Sequence, residues 1–171
     1  NEFLTVTHKR PPPLSVTQGS VSPTLCPLGT MSAAFGLSSD GECAPCDPGF
    51  YCPENGAVNA TVPCLEGFFC PGGDAYPTME CPTGNYCPTG SSVAIDCAAS
   101  TYQNDTGQSE CDLCPPGYYC EMGESDPLPC PAGHYCPEGT AFGNQYLCPN
   151  GTYSNTTTLA SLSECFLCPP G

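Results

Sequence analysis

The sequence predicts a small disulfide-rich fold, mostly loops with short β-hairpins, extended as an elongated tandem-repeat rod with little or no helix. Three observations predict it: 17 cysteines in 171 residues, 22 prolines and 19 glycines, and a cysteine-bounded phrase that recurs along the chain. The cysteines weigh most. Leu, Ile, Val and Phe together number only 26, too few to bury the core of an ordinary domain. A chain this poor in aliphatics, with a net charge of −15, would by composition stay unfolded unless cross-links replaced the missing burial. Cytosolic thiols are kept reduced, so cysteines in such number predict an oxidising compartment, with the chain secreted or on a cell surface.

The repeat supplies the elements. One seven-residue phrase occurs five times: Cys46-Asp-Pro-Gly-Phe-Tyr-Cys52, Cys64-Leu-Glu-Gly-Phe-Phe-Cys70, Cys81-Pro-Thr-Gly-Asn-Tyr-Cys87, Cys114-Pro-Pro-Gly-Tyr-Tyr-Cys120 and Cys130-Pro-Ala-Gly-His-Tyr-Cys136. A sixth copy opens at Cys168-Pro-Pro-Gly171, which reads as a module interrupted midway. Proline after the first cysteine presets φ for the second position of a β-turn, and glycine then falls at the fourth, where type I turns favour it. The aromatic–Cys pair suits a short extended segment. Each phrase therefore predicts a turn feeding a stub of strand, its rings packed on disulfide sulfur and neighbouring prolines.

A second phrase separates groups of the first. Cys26-Pro-Leu-Gly-Thr leads to Cys43-Ala-Pro-Cys46, Cys97-Ala-Ala-Ser-Thr-Tyr leads to Cys111-Asp-Leu-Cys114, and Cys148-Pro-Asn-Gly-Thr-Tyr-Ser leads to Cys165-Phe-Leu-Cys168. The intervening Ser, Thr, Asn and Gly predict strand, turn and strand, closed by a bridge. No apolar stripe at helical spacing persists over 11 residues or more, as a helix would need. Units that touch mainly their neighbours stack in one dimension, so the chain lengthens without a larger core.

These phrases carry a family resemblance. The block Cys-Pro-x-Gly-Thr-Tyr-Ser, a spacer, then Cys-x-x-Cys-Pro-x-Gly-Tyr-Tyr-Cys resembles the ephrin-receptor-like cysteine-rich repeat, similar in style to the cysteine-rich modules of tumour-necrosis-factor receptors. The resemblance runs from Cys26 to Gly171. It is close over Cys148 to Gly171 and over Cys97 to Cys120, although Ala98 stands where proline is usual, and loosest over Cys26 to Cys52, where Met31 replaces tyrosine. It implies a non-catalytic extracellular rod. It also implies bridges of Cys97 with Cys111, Cys114 with Cys130, Cys120 with Cys136, Cys26 with Cys43 and Cys148 with Cys165. The six cysteines from Cys46 to Cys87 have 15 possible connectivities and stay open. Seventeen is odd, which leaves Cys168 over, with a partner expected beyond Gly171.

The expected division is an extended linker or docking strand at 1–25, a first cysteine-rich repeat at 26–96, a second at 97–147, and the start of a third at 148–171. The first segment has no cysteine: Phe3 to Thr7 is β-prone, and Pro11-Pro12-Pro13 is stiff and extended. As a linker it connects the repeat to an upstream domain; as a docking strand, Phe3 to Thr7 adds to a sheet edge of a neighbouring subunit. Asn1 opens no secretory-leader pattern, so any leader is expected to have been removed or to lie upstream.

Several functions are disfavoured on charge and chemistry. Lys9 and Arg10 are the only strong bases among 17 acidic residues, so nucleic acid is not an expected partner. No apolar run is long enough to predict a membrane span. The Cys-x-x-Cys pairs at 43/46, 111/114 and 165/168 occupy one junction of the repeat and read as structural cysteines, so no metal or cofactor is expected. His134 fills the slot of Phe50, Phe68, Asn85 and Tyr118 and reads as a surface variant; with no nucleophile–base constellation, no enzyme is expected. Asp40, Glu42, Asp105 and Glu110 follow no calcium-loop spacing and read as a solvated acidic surface. Four sequons, Asn59-Ala-Thr, Asn104-Asp-Thr, Asn150-Gly-Thr and Asn155-Thr-Thr, predict N-linked glycans. The expected function is structural: a glycosylated component of an extracellular filament, coat or matrix that self-associates or binds other extracellular proteins. The alternative is the stalk or ligand-binding module of a surface receptor or adhesion protein.

Overall fold

The fold grows from one unit repeated along the chain. A computed structural model describes residues 14–15, 24–34, 37 and 39–169. Among these, sixteen two-residue strands pair each with the next into eight antiparallel hairpins. The expected docking strand at Phe3 to Thr7 and the proline run lie outside the described residues. Of segment 1–25, Leu14–Ser15 pairs with Thr24–Leu25. Seven further hairpins follow, with a bridge between His134 and Leu147 completing the series. Among the described residues, helix is confined to the single 3-10 turns Asp40–Glu42 and Leu162–Glu164. The chain is thus a small disulfide-rich repeat rod, nearly all loop and short hairpin.

Each unit begins at an opening cysteine: Cys26, Cys46, Cys64, Cys81, Cys97, Cys114, Cys130 or Cys148. A β-turn follows at once, closed by hydrogen bonds such as Phe50 N–H to the Asp47 carbonyl at 3.1 Å and Thr152 N–H to Pro149 at 3.0 Å. This bond makes the residue after the cysteine the first of the turn and the glycine the third, one place earlier than expected for each. The glycines there have φ of 75° to 86°, which is the mark of a type II turn and not of type I. Glycine is favoured at that place because the left-handed region is open to it and costly for other residues; Ser100 is the exception, at φ 82°.

After the turn the chain runs out through a two-residue strand, loops, and returns as the partner strand. The next opening cysteine then ties back: Cys64 N–H donates to the Gly49 carbonyl at 2.8 Å, and Cys168 N–H to Gly151 at 2.9 Å. The returning strand in the short phrases, for example Val62–Pro63 against Phe50–Tyr51, is what makes each of them a hairpin.

Two kinds of bridge staple these units. Five close within one phrase, at a separation of 6 residues: Cys46–Cys52, Cys64–Cys70, Cys81–Cys87, Cys114–Cys120 and Cys130–Cys136. Three span a whole loop: Cys26–Cys43 and Cys148–Cys165 at separation 17, and Cys97–Cys111 at 14. The pairings Cys114–Cys130 and Cys120–Cys136 implied by the family resemblance are therefore corrected. The turn curls the phrase back on itself and leaves the Cα atoms of Cys114 and Cys120 5.8 Å apart, within bridging range. In the chain-entropy account a short bridge contributes ~2 kcal/mol and a long one ~3 kcal/mol.

The interior is made of sulfur. All eight opening cysteines and the second cysteine of every short bridge are buried, and among the described residues only Leu37 and Leu159 join them as buried aliphatics. The aromatic rings expected to form the core sit instead at its edge. Tyr118 is 37% exposed and Tyr153 43%, because a two-residue strand has no second layer to cover its outer face. Tyr119 and Pro131 both close on Gly143, where a Cβ would lie 2.8 Å from the ring and 2.9 Å from the proline.

Candidate functional site

The surface with the most construction in it is the joint between successive units, together with the loops of the three long-bridged units. Four backbone hydrogen bonds recur at each joint. The opening-cysteine bond described above is one. In the second, the turn glycine donates forward to the residue that ends the next phrase, as Gly49 N–H does to Cys70 and Gly117 N–H to Cys136. In the third, that closing residue donates into the loop of the unit after it, Cys70 N–H to Ser91 at 2.9 Å. The fourth runs backward from a loop glycine to the previous opening cysteine, Gly90 N–H to Cys64 at 2.8 Å and Gly107 N–H to Cys81 at 2.8 Å. Described units are thus held axially by main-chain bonds that side-chain identity barely affects.

A closer contact reaches two units on. A Cβ built on Gly49 would lie 2.6 Å from the Gly90 carbonyl oxygen, and one on Gly117 2.7 Å from that of Thr158. Gly29, Gly49, Gly67, Gly84 and Gly117 are thus needed twice, for their backbone angle and for this approach, whereas Gly133 and Gly151, with nothing within 4 Å of a built Cβ, are needed for the angle alone.

Long-bridged units lack the second cysteine of the short phrase and put Ser32, Gln103 or Ser154 in its slot. Gln103 and Ser154 are only 4% and 8% exposed. Both keep the main-chain duties of the missing cysteine, accepting from Gly84 at 2.7 Å and from Gly133 at 3.0 Å. Their side chains do something cysteine does not. Asp105 N–H donates to Gln103 Oε1 at 3.0 Å, Thr156 N–H to Ser154 Oγ at 3.2 Å, and Ala34 N–H to Ser32 Oγ at 3.3 Å. Gln103 Nε2 also donates to the Glu110 carbonyl at 3.1 Å. No buried side-chain nitrogen or oxygen among the described residues lacks a partner, and each such bond contributes about 1 kcal/mol. These capping residues were missed by motif reading; aligning the second-cysteine slot across units exposes them.

The residues singled out in sequence fall as follows. Asn59, Asn104, Asn150 and Asn155 are all exposed. The cysteines of the Cys-x-x-Cys junctions are divided between bridges: Cys43, Cys111 and Cys165 close long loops, while Cys46 and Cys114 open short ones. Cys168 is exposed and unpaired, in the register of an opening cysteine. His134 is half-buried, with Nδ1 3.2 Å from the Ala132 carbonyl, in the strand slot assigned to it. A cleft of about 440 Å³ lies beside the Cys46 unit, walled by Tyr51, Pro53, Val58, Asn59 and Val62. The described residues hold neither Lys nor Arg, and none of their helices is long and apolar enough to cross a membrane.

Structure and chemistry define the class: an acidic, disulfide-stapled tandem-repeat module whose bridges point to an oxidising environment. No family model matches the chain, and no curated protein does.

Proposed function

We propose that this chain is a non-catalytic structural component of an extracellular filament, coat or matrix, built from modules of the ephrin-receptor-like kind. The observation that carries this reading is the repeated joint. Its bonds are axial and main-chain, so units add in line without enlarging a core. The rod's charge supports the same role. Sixteen of the 17 acidic residues lie beyond Arg10, with no strong base among them; like charge keeps rods soluble and apart along their sides. Partners on this reading are further copies or other extracellular proteins, and the cysteines act as staples.

Electron microscopy of the native secreted material, with and without dithiothreitol, tests it. Regular filaments that lose their form on reduction are the expected result. Separate rods at every concentration would overturn the filament role and favour the receptor-stalk reading, to which the cleft beside the Cys46 unit would offer a ligand surface.

A further inference from the structure

We propose that Asn104 and Asn155 are N-glycosylated as an equivalent pair, and that Asn150 stays unmodified. This inference rests on the secreted reading above. Sequon matching alone treats all four asparagines alike; the repeat does not.

Asn104 and Asn155 occupy one step of the unit, immediately after the buried capping residue, Gln103 in one case and Ser154 in the other. In each, the capping side chain holds the amide two residues on, that of Asp105 or Thr156. The bend this makes turns the intervening asparagine outward. Both are exposed, and among the described residues neither carboxamide is engaged. Short-bridged units place Pro53, Pro71, Pro88, Glu121 or Pro137 at this step, so the site belongs to the long-bridged class.

Asn150 is exposed too, but differs in its place in the unit and in the state of its sequon hydroxyl. It is the second residue of the turn Pro149–Thr152, and the hydroxyl of its own sequon is already committed, Thr152 Oγ1 donating to the Pro149 carbonyl at 2.7 Å. The equivalent hydroxyls, of Thr106 and Thr157, have no such bond to a turn. A sequon is read through both its asparagine and its hydroxyl residue, so the turn at Asn150 withholds half of the signal. Only five positions separate Asn150 from Asn155, and a bulky glycan on the second further crowds the first.

The donor class is a lipid-linked oligosaccharide diphosphate. The carboxamide nitrogen forms a bond to the anomeric carbon as the carbon–oxygen bond to the diphosphate breaks. The bonding pair leaves with the lipid diphosphate, and the nitrogen loses one proton to a base of the transferase.

The test uses the full chain secreted from a eukaryotic cell. Digestion with peptide-N-glycosidase in heavy-oxygen water converts each glycosylated asparagine to a labelled aspartate, which peptide mass spectrometry locates. Label at Asn104 and Asn155 with none at Asn150 is the expected result, and Asn104→Gln and Asn155→Gln should each remove one glycan step on a gel. Secreted, fully bridged protein unlabelled at either Asn104 or Asn155, or labelled at Asn150, would overturn the inference and leave the rod reading intact. Material recovered with its cysteines reduced and no label would overturn both.

Discussion

Ser100 and Gly117 hold the same turn position in adjacent units, at φ of 82° and 86°, though only one of them lacks a side chain. Thr158 repeats the anomaly in the loop, at φ 66°, where the other units place Gly56, Gly73, Gly90, Gly107, Gly123 and Gly139. A left-handed backbone costs a side-chain-bearing residue about 1–2 kcal/mol, and a β-branched one is especially disfavoured. Ser100→Gly and Thr158→Gly should each stabilise the rod by ~0.5–1 kcal/mol after the larger unfolded-state entropy of glycine is subtracted. A rise in the guanidinium midpoint, larger for Thr158, checks it; an unchanged or lowered midpoint would mean the repeat accommodates these side chains without strain.

Gly49 and Gly133 share a backbone angle but not a neighbourhood. A Cβ on Gly49 meets a carbonyl oxygen at 2.6 Å, while one on Gly133 meets nothing within 4 Å. Gly133→Ala should therefore cost only the conformational term of about 1 kcal/mol. Gly49→Ala should cost at least ~2 kcal/mol, because main chain two units away must move. Equal losses in chemical denaturation would show that the contact is not tight in solution.

Connectivity is open to a protease. Glu121, Glu124 and Asp126 lie between Cys120 and Cys130, and no bridge spans that interval. Cleavage there by an acid-residue-specific protease should give two sides that run as separate fragments on a denaturing gel without reductant, once the main-chain bonds across the joint are broken. Fragments that part only after reduction would restore the crossed pairing of Cys114 with Cys130 and Cys120 with Cys136.

Much of this architecture was legible in cysteine and glycine spacing, because a seven-residue phrase repeated five times leaves little freedom for anything but a repeat. The hairpins at Thr30–Met31, Thr101–Tyr102 and Thr152–Tyr153 were readable from loop chemistry and their closing cysteines. The short bridges were not, since Cys114 has partners on both sides at plausible spacing and only the curl of the turn decides between them. Turn type was misread for a related reason: proline tolerates several turn positions, whereas a positive φ at glycine fixes its place. The capping role of Gln103 was hidden because a lone glutamine carries no motif, and its meaning appears only when it is set in the slot of a missing cysteine.

Tension gives the bridge pattern a further meaning. Pulled from both ends, the chain would pass load through sulfur at every staple, so the residues enclosed by Cys26–Cys43, Cys97–Cys111 and Cys148–Cys165 would add no length. Among the described residues, slack resides in the spacers such as 53–63, 71–80 and 88–96, each releasing roughly 3.5 Å per residue as its hydrogen bonds give way. Such a tether yields in short separate increments and then goes taut on covalent bonds, with its loops still folded.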